Sequence, residues 1–236
     1  MIEFISTLVS HAPEWLSRLR PALELTLLLT LSSFALALGT ALLLELGRVS
    51  RWSALRKVIA AFIDIFRSVP ILAVLYLIYF GLPGLGISFS AFTSGTLGLG
   101  IVYSTYIAEI LRAGVQSLHR GQSEAAFAVG MTPLSAFRWI ILPQAVRIVT
   151  PPLLVTLISL LKDTSICALI AVNELMLTSK LIMSEFFLPL HIFVLVGLIY
   201  FAIAWPMSLF VRWLEPRLHR GRHSNTHSLS LFKPVQ

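Results

Sequence analysis

Residues 22–46 read ALELTLLLTLSSFALALGTALLLEL, a run whose only charges are Glu24 and Glu45. A helix needs about 20 mainly apolar residues to cross the hydrocarbon core of a bilayer. Inside lipid every backbone N–H and C=O must be satisfied within the segment, so the run is expected to be a helix. The rest of the chain has the same character. Of its 236 residues, 57% are hydrophobic and 12% charged, whereas soluble domains carry about a quarter charged residues. So few polar side chains cannot cover a water-facing surface, and the outer surface is expected to face lipid.

Four more apolar runs follow, at 58–80, 89–111, 148–172 and 191–213. The expected architecture is an all-α integral membrane bundle of about five transmembrane helices, with its termini on opposite sides. Segments 47–57, 112–147 and the tail beyond Val211 hold thirteen Lys and Arg residues, against Arg18, Arg20 and Lys180 on the other side. Positive residues gather on the cytoplasmic side, which puts the N-terminus outside and the C-terminus in the cytoplasm. The same loops account for the formal charge of +7 and the pI near 10.1, so no nucleic-acid partner is called for.

Three regions are expected. Residues 1–21 carry the Ile2, Phe4, Ile5, Leu8, Val9 pattern of a short amphipathic helix on the outer membrane surface. Residues 22–215 form the membrane domain. Residues 216–236 form a cytoplasmic tail, mobile from Gly221; its His219, His223 and His227 read as solvated rather than metal-binding. Cys167 is the single cysteine, which excludes an intrachain disulfide and a cysteine zinc cluster. An odd number of spans does not divide into the inverted halves of many secondary transporters. It suggests that a complete pathway needs a second copy or a related partner.

The segment 112–147 is too polar to span. Ser123 can cap a helix beginning at Glu124, Ala125 and Ala126. Gly130 supplies a turn where a side chain would be costly. Thr132 can cap a second helix with Pro133 at its first position. Phe137, Ile140 and Ile141 give that helix an apolar face, and Pro143 marks a bend. A projecting helix–turn–helix of this kind fits a groove in another protein, or lies on the membrane as a hairpin.

The stretch EAAFAVGMTPLSAFRWIILPQA at 124–145 resembles the signature loop of ABC importer permeases, through Glu124, Ala125, Ala126, Gly130, Leu142 and Pro143. The blocks LIYFGLP (77–83), YIAEILRAGVQSLHRGQSEAA (106–126) and LLKDTSICALIAVNEL (160–175) resemble the histidine/glutamine/arginine subfamily of polar amino acid permeases. The likeness covers roughly residues 20–215. The resemblance implies a type I ABC importer permease-like fold, with the loop as a coupling helix that docks into an ATP-hydrolysing subunit. It further implies a dimer of ATP-binding subunits and a second permease, a related chain in preference to a second copy. An external solute-binding protein would deliver a small polar amino acid across a bacterial inner membrane. ATP and Mg²⁺ would belong to the partner ATPase, with no cofactor on this chain. The chain departs from the family at Ser68–Val69, at Ala113 and at Val155–Thr156, where Gly-Thr, Gly and Gly-Asn are frequent. Those departures leave the docking loop untouched and fall on substrate-facing helices, which keeps derivatives such as opines as an alternative ligand.

Charges at membrane depth are expensive and mark partners or wet cavities. Asp64 and Arg67 are three apart and are expected to pair on one helix face. Lys162 and Asp163 are adjacent, about 100° apart on a helix, so each needs its own partner. Together with Thr164 and Ser165 they supply the donor, acceptor and hydroxyls that a zwitterion requires, and they are the candidates for the substrate path. Pro151 and Pro152 suggest a bent or broken helix there. Glu109 and Arg112 look like a helix-end pair supporting the loop. No phosphate-binding G-x-x-x-x-G-K-[ST] loop is present, nor any Ser–His–Asp, Cys–His or metal-ligand spacing, so no catalytic residue is assigned. An ion-coupled secondary transporter and a non-transporting membrane anchor are the rival classes.

Overall fold

The computed structural model describes residues 2–219, all of the regular structure being helical. Helix α1 spans Ile2–Arg48 without interruption. The separate surface helix expected over residues 1–21 is therefore not formed. Pro13 and Pro21 lie within α1, but Trp15, Leu19 and Ala22 pack into a core with Leu175, Ile182, Ile192 and Val196. Burial of that face outweighs the local cost of two prolines.

The expected second span is not straight. Helix α2 spans Ser53–Ser68, and α3 spans Ile71–Tyr76. The chain bends by 106° between them. Pro70 has no N–H, and it drives the preceding Val69 into an extended conformation, φ −90° and ψ 133°. A wide five-residue turn then covers Leu77–Gly81 and leads into Leu82–Pro83.

Helix α4, Ala91–Gln116, is the central element. Ser90 caps it, accepting from the Thr93 N–H at 3.1 Å. Three other helical stretches, 3–48, 133–170 and 189–218, are long and apolar enough to cross a membrane, and the bent pair 53–85 supplies a fourth. The expected third span, α4, falls outside that group by composition. Its surroundings are protein: twelve of its residues are buried, among them Ser94, Ser104 and Thr105. Small residues permit the close approach. A Cβ on Gly98 would sit 2.6 Å from Leu75, and one on Gly100 2.6 Å from Leu36.

The polar segment after α4 forms α5 (Arg120–Ala128) and α6 (Pro133–Ala136). A second wide turn, Phe137–Ile141, runs directly into α7, Leu142–Asp163. Both wide turns precede a Leu-Pro pair. The proline ring crowds the carbonyl four residues back, at Tyr79 and at Trp139, and the backbone widens one turn early to relieve it. Helix α7 continues through Pro151 and Pro152, so the break expected there occurs later, at Thr164, where a tight 3₁₀ segment runs to Ile170. The short α8, Leu175–Phe186, and the long α9, Pro189–His219, complete the bundle. His223 and His227, and the tail from residue 220, lie outside the described residues.

Candidate functional site

Residues of α2, α3, α4 and α7 line an open cavity of 550 Å³. Asp163, the last residue of α7, reaches it beside Tyr103 of α4. The Tyr103 hydroxyl donates to Asp163 Oδ2 at 2.7 Å. Arg67 enters from the end of α2, and Tyr106, Glu109, Thr156 and Ser159 complete the polar lining. The cavity thus holds the Asp163 carboxylate, a guanidinium and hydroxyls within mostly apolar walls, with the ion-paired Glu109 at its edge. Those groups come from three different helices, so relative motion of the helices changes the site.

The expected Asp64–Arg67 ion pair is not formed. Asp64 and Arg67 share the exposed side of α2, and the Arg67 guanidinium lies 5.6 Å from the centre of the Tyr106 ring. The ring draws the cation across to α4. Among the remaining candidates only Asp163 lines the central cavity. Lys162 turns to a different cavity, against α9, as the 100° step between neighbours requires. Thr164 is fully buried, with its hydroxyl donating to the Leu161 carbonyl at 2.8 Å. The Ser165 hydroxyl donates to the Lys162 carbonyl at 2.7 Å. Both hydroxyls satisfy backbone at the helix end rather than facing the cavity.

Glu109 closes the cavity toward the ends of α1 and α4. It accepts from Arg112 at 2.6 Å and from Arg48 at 2.6 Å, and Arg48 also pairs with Glu45 at 2.9 Å. The Glu109–Arg112 pair was legible from spacing. Its tie to α1, sixty-one residues away, was not.

The loop below carries the other candidate residues. Helix α5 starts at Arg120, with His119 as its cap: His119 Nδ1 accepts from the Gly121 N–H at 3.1 Å. The expected start at Glu124, with Ser123 as its cap, is four residues late. Glu124 and Ala125 are exposed, while Ala126 is buried against the second helix. Gly130 has φ +81°, the left-handed region that a side chain disfavours. Thr132 caps α6 as expected, accepting from the Ser135 N–H at 3.3 Å. Gln144 donates to Gln122 at 3.2 Å and holds α5 on α7. Leu142 and Pro143 are exposed, next to exposed Phe137 and Trp139.

A family model described as the binding-protein-dependent transport system inner membrane component matches residues 34–220. The chain belongs to this family. It is 36% identical over 189 residues to the probable glutamine ABC transporter permease protein GlnM of Bacillus subtilis, covering 80% of this chain and 86% of that one. It is 38% identical to the probable amino-acid ABC transporter permease protein YckA of the same organism, covering 81% and 85%. A solved amino acid ABC transporter, crystallised with histidines, superposes with a TM-score of 0.83 at 33% identity, covering 91% of this chain and 98% of that one. The MetNI methionine transporter shares the fold, with a TM-score of 0.60 at 21% identity. The chain is therefore an inner-membrane permease of the ABC importer class, with a type I importer fold.

Sequence reading missed Tyr103, Tyr106, Thr156 and Ser159 as cavity residues, and also Glu174. Glu174 is fully buried at the start of α8, where it accepts from the N–H groups of Met176 and Leu177, each at 2.9 Å, and from Tyr200 at 3.1 Å. An acid before LMLT is an N-cap signal. The cavity tyrosines carry no local signal, because their partners lie on other helices.

Proposed function

We propose that this permease forms the pathway for a polar α-amino acid and couples its passage to a partner ATPase through residues 120–145. The observation that carries the reading is the pairing of Asp163 with Tyr103 in a cavity that Arg67 also enters. An amino acid presents an ammonium and a carboxylate, and this cavity offers an acid and a guanidinium on separate helices. Its 550 Å³ falls in the usual range of about 300–1,000 Å³ for small-molecule sites. Relatives named as glutamine and amino-acid transporters support the class. The exposed Glu124, the left-handed Gly130 and the apolar Phe137, Trp139 and Leu142 form the docking element. An ATPase dimer, a related second permease and an external binding protein complete the machine, with the N-terminus outside and the C-terminus in the cytoplasm.

Uptake of labelled arginine, histidine, glutamine and glutamate by cells holding all subunits tests the reading. Asp163→Asn should depress uptake of whichever of the four the wild type accepts, at equal membrane abundance. Unchanged uptake would mean that Asp163 only holds helices together. Failure of the wild type on all four would move the substrate to derivatives such as opines.

A further inference from the structure

Lys162 borders a second cavity of 390 Å³ between α7 and α9, with Ser159, Ser208, Arg212 and Glu215 around it. The transport reading makes no use of it. Two cations face one acid there, and among the described residues no salt bridge reaches Lys162. A cation at membrane depth calls for a compensating anion.

The surroundings indicate where that anion comes from. Helix α9 is the least buried of the long apolar helices: 11% of its apolar window is buried, against 28% and 39% in the other two. The rest of this chain leaves most of its surface uncovered. Leu198, Phe201, Trp205, Ser208 and Arg212 follow one another at steps of three and four and share one face. Leu198, Phe201 and Trp205 are 53%, 58% and 49% exposed, with the two rings stacked at 5.7 Å. This apolar stripe ends at the cationic cavity. From Leu198 to Arg212 the helix rises about 21 Å, enough to follow an acyl chain through one leaflet of about 15 Å. One residue beyond Arg212, exposed Trp213 carries the Arg217 guanidinium 3.5 Å from its ring, an aromatic–cation pair suited to the headgroup level.

We propose that the cavity between α7 and α9 binds the phosphate of an anionic phospholipid, in the leaflet at the C-terminal end of α9, with an acyl chain lying on Leu198, Phe201 and Trp205. Lys162 and Arg212 are the phosphate ligands. Basic pockets between membrane helices are suited to such headgroups.

The test uses the assembled importer, equilibrated with mixed phosphatidylglycerol and phosphatidylcholine and examined by native mass spectrometry. Wild type should retain phosphatidylglycerol over phosphatidylcholine. Lys162→Gln with Arg212→Gln should lower that retention by about fivefold per cation removed, and Lys162→Arg with Arg212→Lys should keep it. Excess inorganic phosphate should not displace the lipid. Equal retention of the two lipids by wild type overturns the proposal, as does wild-type retention in the glutamine variant. Displacement by inorganic phosphate overturns it too, since the site would then take the free anion. Should the double variant fail to assemble, Arg212→Gln alone, at an exposed position, decides by the same comparison.

Discussion

Asp163 and Tyr103 allow charge to be separated from hydrogen bonding at the cavity. Tyr103→Phe removes the donor and leaves the carboxylate, whereas Asp163→Asn removes the charge and keeps a side-chain acceptor. A hydrogen bond to a charged group is worth about 1.5–3 kcal/mol. Under the amino acid reading, Asp163→Asn should raise the half-saturating substrate concentration about tenfold or more, and Tyr103→Phe should have the smaller effect, both read from initial uptake rates in proteoliposomes. If the tyrosine variant is the more damaged, the pair serves packing rather than recognition. Gly100 is a purely steric site. Gly100→Leu would drive a side chain into Leu36, where even a Cβ comes within 2.6 Å. Overpacking of this kind costs about 1–3 kcal/mol, and a lowered melting temperature in detergent would show it.

At the scale of elements, the helix–turn–helix of residues 120–145 and the α8 joint make different predictions. Glu124 is exposed, so Glu124→Lys should leave the fold intact and abolish substrate-stimulated ATP hydrolysis in the assembled importer. Normal coupling in that variant would remove α5 from the docking interface. Glu174 is internal to the chain. Glu174→Ala deletes the α8 cap and orphans two N–H groups and the Tyr200 hydroxyl. Loss of a cap alone costs about 0.5–2 kcal/mol, and buried orphans add to it, so the melting temperature should fall further than for Glu124→Lys. The elements that sequence reading placed well, the helix at Pro133 and the turn at Gly130, rest on local backbone rules. The start of α5 was misjudged because His119, an uncommon cap, acts through its ring nitrogen.

At the scale of the whole molecule, the distribution of Lys and Arg predicts an N-terminus outside and a C-terminus in the cytoplasm. Cys167 is fully buried and should stay silent toward a membrane-impermeant thiol reagent, so single cysteines can be introduced directly. Ser6→Cys should be labelled on intact cells, and Ser224→Cys only after permeabilisation. The opposite pattern would invert the orientation. The two cores explain the mechanical layout. One joins α1, α2, α3, α4 and α7 around the central cavity, and the other clamps the N-terminal half of α1 to α8 and α9.

Composition and hydropathy alone determined that the chain is a helical membrane protein, because lipid tolerates so few charges and leaves no unpaired backbone. Local backbone chemistry at Thr132, Pro133 and Gly130 determined the shape of the 120–145 segment, and the family resemblance followed from Glu124, Ala125, Ala126, Gly130, Leu142 and Pro143. Only the tertiary structure decided which charges meet. Arg67 left Asp64 for the face of Tyr106, Asp163 found Tyr103 sixty residues away, and Lys162 turned to α9. It also decided that α1 runs unbroken through two prolines and that the second span bends at Pro70. The physical reason is common to all of these. Solvation by lipid and backbone geometry act within a segment, whereas the partner of a side chain depends on which helix is packed against it.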